Sequence, residues 1–592
     1  MRPYLIPITL SFAALAAPLA AATPAQTLQK LFTDSDEASL KRNPINALFR
    51  GDLRYAHRLG DFYSDAATEA NYQADKADLA ALARIDRTKL SATDRIAYDT
   101  FKRNTELDMG GLTPAIRLLR DVRPIDHFFG AHIFYPDFAS GQGAAPFKTV
   151  LDYENNIKRH LQFAAQLDIA IARFREGMAS GVTQPKLVVR NVIEQLDLQL
   201  KGGVDGSAYI GPLKNFPASF SDADKARLTT ETTAAVRDAI FPAYMRMRDF
   251  LRDDYLPVAR EGVGLVHMAG GPVLYRYLIE ANTTLPMTAD GVHNLGLSEV
   301  ARITREMETI KAKVGFKGTL GAFFDDQRTN PKFQFASKDD MGDTFLAIGK
   351  RVDLRVREQF STIPKTPLEI RPVPEYREKT DAGGSYNQGT ADGTRPGIFY
   401  YNSYDLPSRQ KPESETLYLH EAVPGHHFQI SLAQENTALP PFMRFGGNTA
   451  FAEGWALYAE TLWPELGMET DPYQRFGGLN DEMLRAMRLV VDSGIHAKGW
   501  TRDQAIEYML THSGMSRTDA VAEVERYIAI PGQALAYKIG QLTILKLKAA
   551  AKAKLGARFD ARRFHAQVLM TGALPMTVLE AKVRAWVAAG GK

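Results

Sequence analysis

His420-Glu421-Ala422-Val423-Pro424-Gly425-His426-His427 gathers three of the chain's twelve histidines into eight residues, with a glutamate beside the first. Imidazole and carboxylate groups are the side chains that hold a catalytic zinc ion, and a carboxylate beside such an ion can act as a general base. The familiar spacing, His-Glu-x-x-His, puts two imidazoles at i and i+4 on one helical face. Here position i+4 is Pro424, and the later histidines stand at i+6 and i+7. In an unbroken helix His427 would share the face of His420 but lie about 10 Å further along the axis, beyond reach of a common ion. His426 would point elsewhere. Pro424 lacks a backbone donor and disfavours helical backbone at Val423, while Gly425 reaches conformations that other residues avoid. The spacing therefore predicts a break over Val423–Gly425 that returns one of the paired histidines to His420.

A catalytic zinc usually takes three protein ligands and keeps a fourth position open. The chain has no cysteine, so a carboxylate is the natural third ligand. Asn448-Thr449-Ala450-Phe451-Ala452-Glu453-Gly454-Trp455-Ala456-Leu457-Tyr458-Ala459-Glu460 supplies two of them on a helix that Asn448 or Thr449 caps and that stops before Pro464. Glu453 and Glu460 are seven residues apart and share a face but not an ion. Glu453 stands among apolar neighbours, where an unpaired charge is costly, so metal ligation is its reading. Glu460 is placed to orient a ligand or to pair with an arginine.

Further on, Arg488, Asp492 and His496 recur at i, i+4 and i+8 on one helical face. They read either as an ion pair with a neighbouring histidine or as a face that carries His496 to a substrate carbonyl. Tyr537 follows Pro531-Gly532-Gln533 near the start of a helix and is a second candidate donor to a developing oxyanion.

Most of the chain reads as helix, and no internal repeat or low-complexity linker interrupts it. Val300, Ile303, Met307, Ile310 and Val314 alternate spacings of three and four, a pattern that Ser298 is placed to cap. Thr501-Arg502-Asp503-Gln504 and Ser516-Arg517-Thr518-Asp519 resemble capping boxes. Leu535, Ile539, Leu542 and Leu545 mark a helix that Gly556 ends. The exception lies between about 368 and 405. There Leu368-Glu369-Ile370-Arg371-Pro372-Val373 alternates in period two and Ile398-Phe399-Tyr400-Tyr401-Asn402 is a short aromatic run. These predict a small sheet just before the helix of His420, which Ser414 is expected to cap. An edge strand there would suit an extended peptide, and the aromatics of 398–401 are expected on the substrate side.

The 592 residues are 45% hydrophobic and 24% charged, ordinary for a protein with a large core. The net charge is +3, or +2 without the segment carrying Arg2, and no Lys/Arg run suggests a nucleic-acid groove or a polybasic membrane patch. Arg2, the apolar stretch Leu5 to Ala17 and Ala20-Ala21-Ala22 read as a signal peptide over 1–22, cleaved to leave no membrane segment. Without cysteine there is no lipidated residue at the cleavage point, so a soluble periplasmic or secreted protein is expected.

His-Glu-Ala-Val-Pro-Gly-His-His with Phe428-Gln429, the Glu453 to Glu460 stretch, Asp492-Ser493-Gly494-Ile495-His496 and Pro531 to Tyr537 together resemble the bacterial family catalogued as domain of unknown function 885. That family is similar to gluzincin metallopeptidases of the thimet-oligopeptidase, angiotensin-converting-enzyme and carboxypeptidase-Taq types. The resemblance implies a mainly α zincin-like fold over 23–592, two lobes around a deep cleft: a helical lobe to about 290 and a metal-binding lobe over about 291–592. It implies Zn2+ held by His420, His426 and Glu453. His426 is preferred because it follows a glycine as the second ligand does in such enzymes, with His427 the alternative. Glu421 is then the general base, with Tyr537 and His496 as donors to the oxyanion. The resemblance also points to short peptides as substrate. Two other readings keep the same residues: a zinc hydrolase of a non-peptide amide, and a binding protein that has kept the metal cleft without turnover. The intact Glu421 disfavours the second, since a ligand-only site has no need of that base.

Overall fold

The computed structural model describes residues 22–592 except 142, 144, 375–377, 379–381 and 394, so the expected signal peptide lies, but for Ala22, outside the described residues. Helices dominate, as the periodicities predict. The longest, Val150–Ser180, opens with a Thr149 capping box and ends at Gly181, whose left-handed φ of 74° favours glycine. Its Phe163, Leu167, Ile171 and Phe174 form one buried stripe against Val189, Val192 and Leu196 of the following helix and against Tyr244 and Met247.

Helix α1 (Ala289–Lys313) carries the expected stripe, with Val300, Ile303 and Met307 buried. It starts about two and a half turns before Ser298, however. Thr288 is the cap, accepting from the Gly291 amide at 3.1 Å, and Ser298 sits inside the helix donating to the Leu295 carbonyl. Apolar residues before Ser298, such as Val292, extend the stripe and account for the earlier start.

The sheet has three strands, β1 (Leu368–Pro372), β2 (Gly384–Asn387) and β3 (Gly397–Tyr401), in the order β1-β3-β2. β3 is central, parallel to β1 and antiparallel to β2. Its alternate residues Phe399 and Tyr401 are buried against Phe345. The expectation that the aromatics of this run line a substrate surface therefore fails for these two: a central strand turns them into the core.

The helices that follow build the site: α2 (Ser414–Glu421), α3 (His426–Glu435), α4 (Thr449–Glu460), α5 (Pro472–Lys498), α6 (Arg517–Ala529) and α7 (Leu535–Leu555). Ser414 does not cap α2. A 3-10 turn over Lys411–Glu413 runs straight into the helix, so Ser414 already has helical backbone, φ −66° and ψ −37°. The capping box at Thr501 is present, and Gly556 ends α7. Hydrophobic packing crosses the expected division near residue 290. Leu28, Phe32 and Phe101 share a core with Phe345, Tyr418, Phe451 and Trp455, and Val188 packs with Val300 and Met487.

Candidate metal centre

The predicted break is present. α2 ends at Glu421, Val423–Pro424 is a cis peptide, and α3 restarts at His426. Gly425 is required here because a Cβ would lie 1.8 Å from the His420 carbonyl oxygen. The Trp455 indole of α4 donates to the Pro424 carbonyl at 2.8 Å, pinning the turn to the helix that carries Glu453.

The restart sets the two histidines apart. The His426 imidazole meets that of His420 edge to face, with ring centroids 4.8 Å apart. One ligating atom from each of His420, Glu421 and His426 lies within 4.8 Å of the others. His427 turns the other way, its Nδ1 3.1 Å from the Tyr386 hydroxyl on β2, and burial lowers its pKa to about 4.

Glu453 completes the group. Its Oε2 lies 3.3 Å from His426 Nε2 and 3.6 Å from His420 Nε2. That oxygen is buried and accepts no hydrogen bond. Bonds of 2.0–2.2 Å at a tetrahedral ion put neighbouring ligand atoms about 3.4 Å apart, so the two separations are those of ligands around one zinc-sized ion. Glu460, one face-repeat further along α4, contacts the far side of the ring: His420 Nδ1 donates to its Oε1 at 2.7 Å. A carboxylate only accepts, so Nδ1 carries a proton and donates it to Glu460, which leaves Nε2 as the ring atom that faces Glu453 and His426. The residues therefore fit a divalent ion: two Nε2 atoms, one orphaned carboxylate oxygen, and a partner that fixes the tautomer.

Charge couples the same groups. Burial alone would lower the His420 pKa, but the nearby carboxylates of Glu453 and Glu460 raise it to about 10. Burial would raise that of Glu453, yet His426 and His420 hold it well below the usual value. Three carboxylates, Glu421, Glu453 and Glu460, stand around the two imidazoles, a surplus of negative charge that a divalent cation would offset.

The close approach of α4 and α7 needs glycine on both helices. A methyl on Gly454 would fall 2.5 Å from the Gly540 Cα, and one on Gly540 2.0 Å from the Ala450 carbonyl oxygen. Tyr537 lies one turn before that crossing. Its hydroxyl accepts from Arg526 Nη2 at 3.3 Å, which leaves its own proton free to donate. His496 is placed differently from the expectation. It is 1% exposed, its Nε2 is 2.9 Å from the Tyr527 carbonyl and its Nδ1 accepts from the Leu265 amide. Both ring nitrogens are spent on backbone, so His496 ties α5 to its neighbours and has none left for a substrate. Its companion Asp492 accepts from the Tyr275 hydroxyl and the Gly532 amide, and burial raises its pKa to about 7. The sequence reading gave no role to Tyr386, Arg526 or Trp455, although Trp455 lies within the Glu453–Glu460 stretch.

The sequence matches the family described as "Bacterial protein of unknown function (DUF885)" over residues 44–583. The chain belongs to this family. Among solved structures, a "putative lipoprotein" of Colwellia psychrerythraea is similar at 29% identity and TM-score 0.88, covering 96% of this chain and 100% of its own. A "putative lipoprotein of unknown function" of Shewanella oneidensis shares the fold at 20% identity and TM-score 0.71, over 95% and 99%. No protein with a curated description matches. Among the described residues of this DUF885 chain, no helix is long and apolar enough to cross a membrane.

Proposed function

We propose that this protein is a zinc-dependent peptidase that hydrolyses short peptides at the His420–His426–Glu453 centre. The observation that carries the reading is the orphaned Glu453 Oε2, 3.3 and 3.6 Å from two imidazole nitrogens at separations suited to a tetrahedral ion. The sequence resemblance to gluzincins, which would imply a zincin-like, two-lobed fold around a deep cleft, favours peptides over other amides. Bound zinc would polarise the scissile carbonyl and acidify the attacking water. Glu421, beside the histidine pair, takes the water's proton on its carboxylate and returns it to the leaving nitrogen. Tyr537 donates its hydroxyl proton to the oxyanion as charge develops, a contribution commonly worth about 3 kcal/mol. Glu460 keeps His420 in the ligating tautomer.

Export from the cytoplasm is part of the proposal. It is supported by the apolar leader and by structural neighbours described as lipoproteins. The test is metal analysis of the purified protein together with a peptide-library digest. About one zinc per chain with peptide cleavage supports the reading, and zinc-loaded protein that cleaves no peptide defeats it.

A further inference from the structure

Near Tyr537 the structure holds two guanidinium groups on one carboxylate. Arg488 of α5 is 4% exposed and donates through Nε and Nη2 to Glu523 Oε2 at 3.2 and 2.9 Å. Its Nε also reaches the Tyr527 hydroxyl at 3.1 Å. Its Nη1 is buried and has no partner. Arg526 of α6 lies 3.6 Å from the same Glu523 and donates to Gln533 Oε1 at 2.6 Å and to the Tyr537 hydroxyl. The Tyr537 ring sits beneath both cations, 4.4 Å from the Arg488 guanidinium carbon and 5.9 Å from that of Arg526.

Two features of this unit ask for an anion. One positive charge is left over after Glu523 is counted. A buried guanidinium nitrogen with an unused proton is costly to keep unless something accepts from it. Arginine forks match the geometry of a carboxylate, which takes two parallel hydrogen bonds.

The unit connects through α7 to the helix that carries Glu453. Tyr537 precedes Gly540 by three residues, about 4.5 Å along α7, and Gly540 abuts Gly454, the neighbour of Glu453. On α5, Arg485 lies one turn before Arg488. Burial works against its charge, but Asp481 and Glu460 keep its pKa above the ordinary value, so this turn of α5 feels the carboxylate that holds His420.

We infer that Arg488, Arg526 and Tyr537 form the seat of a substrate carboxylate, and that the site prefers peptides whose free C-terminal carboxyl group lies close to the scissile bond. The inference rests on the peptidase reading and narrows its substrate class. Arg488 and Arg526 are then specificity residues, and Tyr537 links the seat to the reacting carbonyl.

The experiment compares one short peptide with its C-terminal amide. Zinc-loaded Glu421→Gln protein should bind the free acid roughly 10- to 100-fold more tightly than the amide, the usual effect of a charged hydrogen bond. Arg526→Gln in that background should bring the ratio toward one. In the active enzyme the same substitution should raise KM for the acid more than it lowers kcat. Arg488→Lys, which keeps the charge without the fork, should narrow the ratio in part. Equal binding of acid and amide, or an undiminished ratio in Arg526→Gln, overturns the carboxylate seat while cleavage of both peptides leaves the peptidase reading intact. Failure of the zinc-loaded wild-type chain to cleave any peptide defeats both.

Discussion

Replacing Glu460 separates a tuned metal site from a chance cluster of histidines. Its Oε1 accepts the His420 Nδ1 proton at 2.7 Å, with side-chain exposures of only 7% and 4%. A charged hydrogen bond in such a setting is worth about 1.5–3 kcal/mol. Loss of a partner that orients a metal ligand typically costs 10- to 100-fold in affinity, or about 1.4–2.7 kcal/mol. The two estimates agree. Glu460→Ala should therefore weaken zinc binding by roughly 100-fold. Glu460→Gln, which keeps an acceptor but not the charge, should cost nearer tenfold. His420→Ala should lose more than either because it removes a ligand. The assay is competition for zinc between metal-stripped protein and a chromophoric chelator near neutral pH, with thermal melts to confirm that each variant is folded. Unchanged affinity in folded Glu460→Ala would refute the argument that this carboxylate sets the tautomer. A loss as large as that of His420→Ala would refute it differently, by making Glu460 a ligand.

The histidine pair should behave unequally: His426→Ala loses zinc, whereas His427→Ala retains it, and metal content after dialysis reads the difference. Glu421→Gln should keep zinc and fold while kcat falls by about 10²–10⁴-fold or more, and turnover near that of the wild type would sink the mechanism. Tyr537→Phe should lose a smaller factor, chiefly in kcat, on the same peptide. Asp492, with a folded pKa of about 7 against 3.8 for the free side chain, binds its proton more tightly when folded. Its contribution to stability is therefore full below about pH 3.8 and is lost as pH rises through about 7. Asp492→Asn, which mimics the protonated form, should gain in Tm relative to wild type as the melts move from acid to alkaline buffer, and a difference independent of pH would count against the raised pKa.

What the sequence disclosed and what it hid follow from the range of the forces involved. The interruption after Glu421 was legible because proline and glycine act on their own backbone, and Pro424-Gly425 sits where the helix stops. The pairing of Glu453 and Glu460 on one face was legible from helical spacing, and both carboxylates reach the histidine pair. The choice of His426 over His427 was not a local matter. It depends on the Trp455 indole gripping Pro424 and on Tyr386 receiving His427, contacts that span 31 and 41 residues. β2 escaped notice because Gly384-Ser385-Tyr386-Asn387 has no strand signature of its own and becomes a strand only by pairing with β3. His496 shows the converse. Its face on α5 was read correctly, since Arg488, Asp492 and His496 are all buried. Its role depended on the Leu265 amide, 231 residues away. A helical face says which side chains travel together, and only the packing of other elements says whether a nitrogen on that face is spent on the backbone or left to meet a substrate.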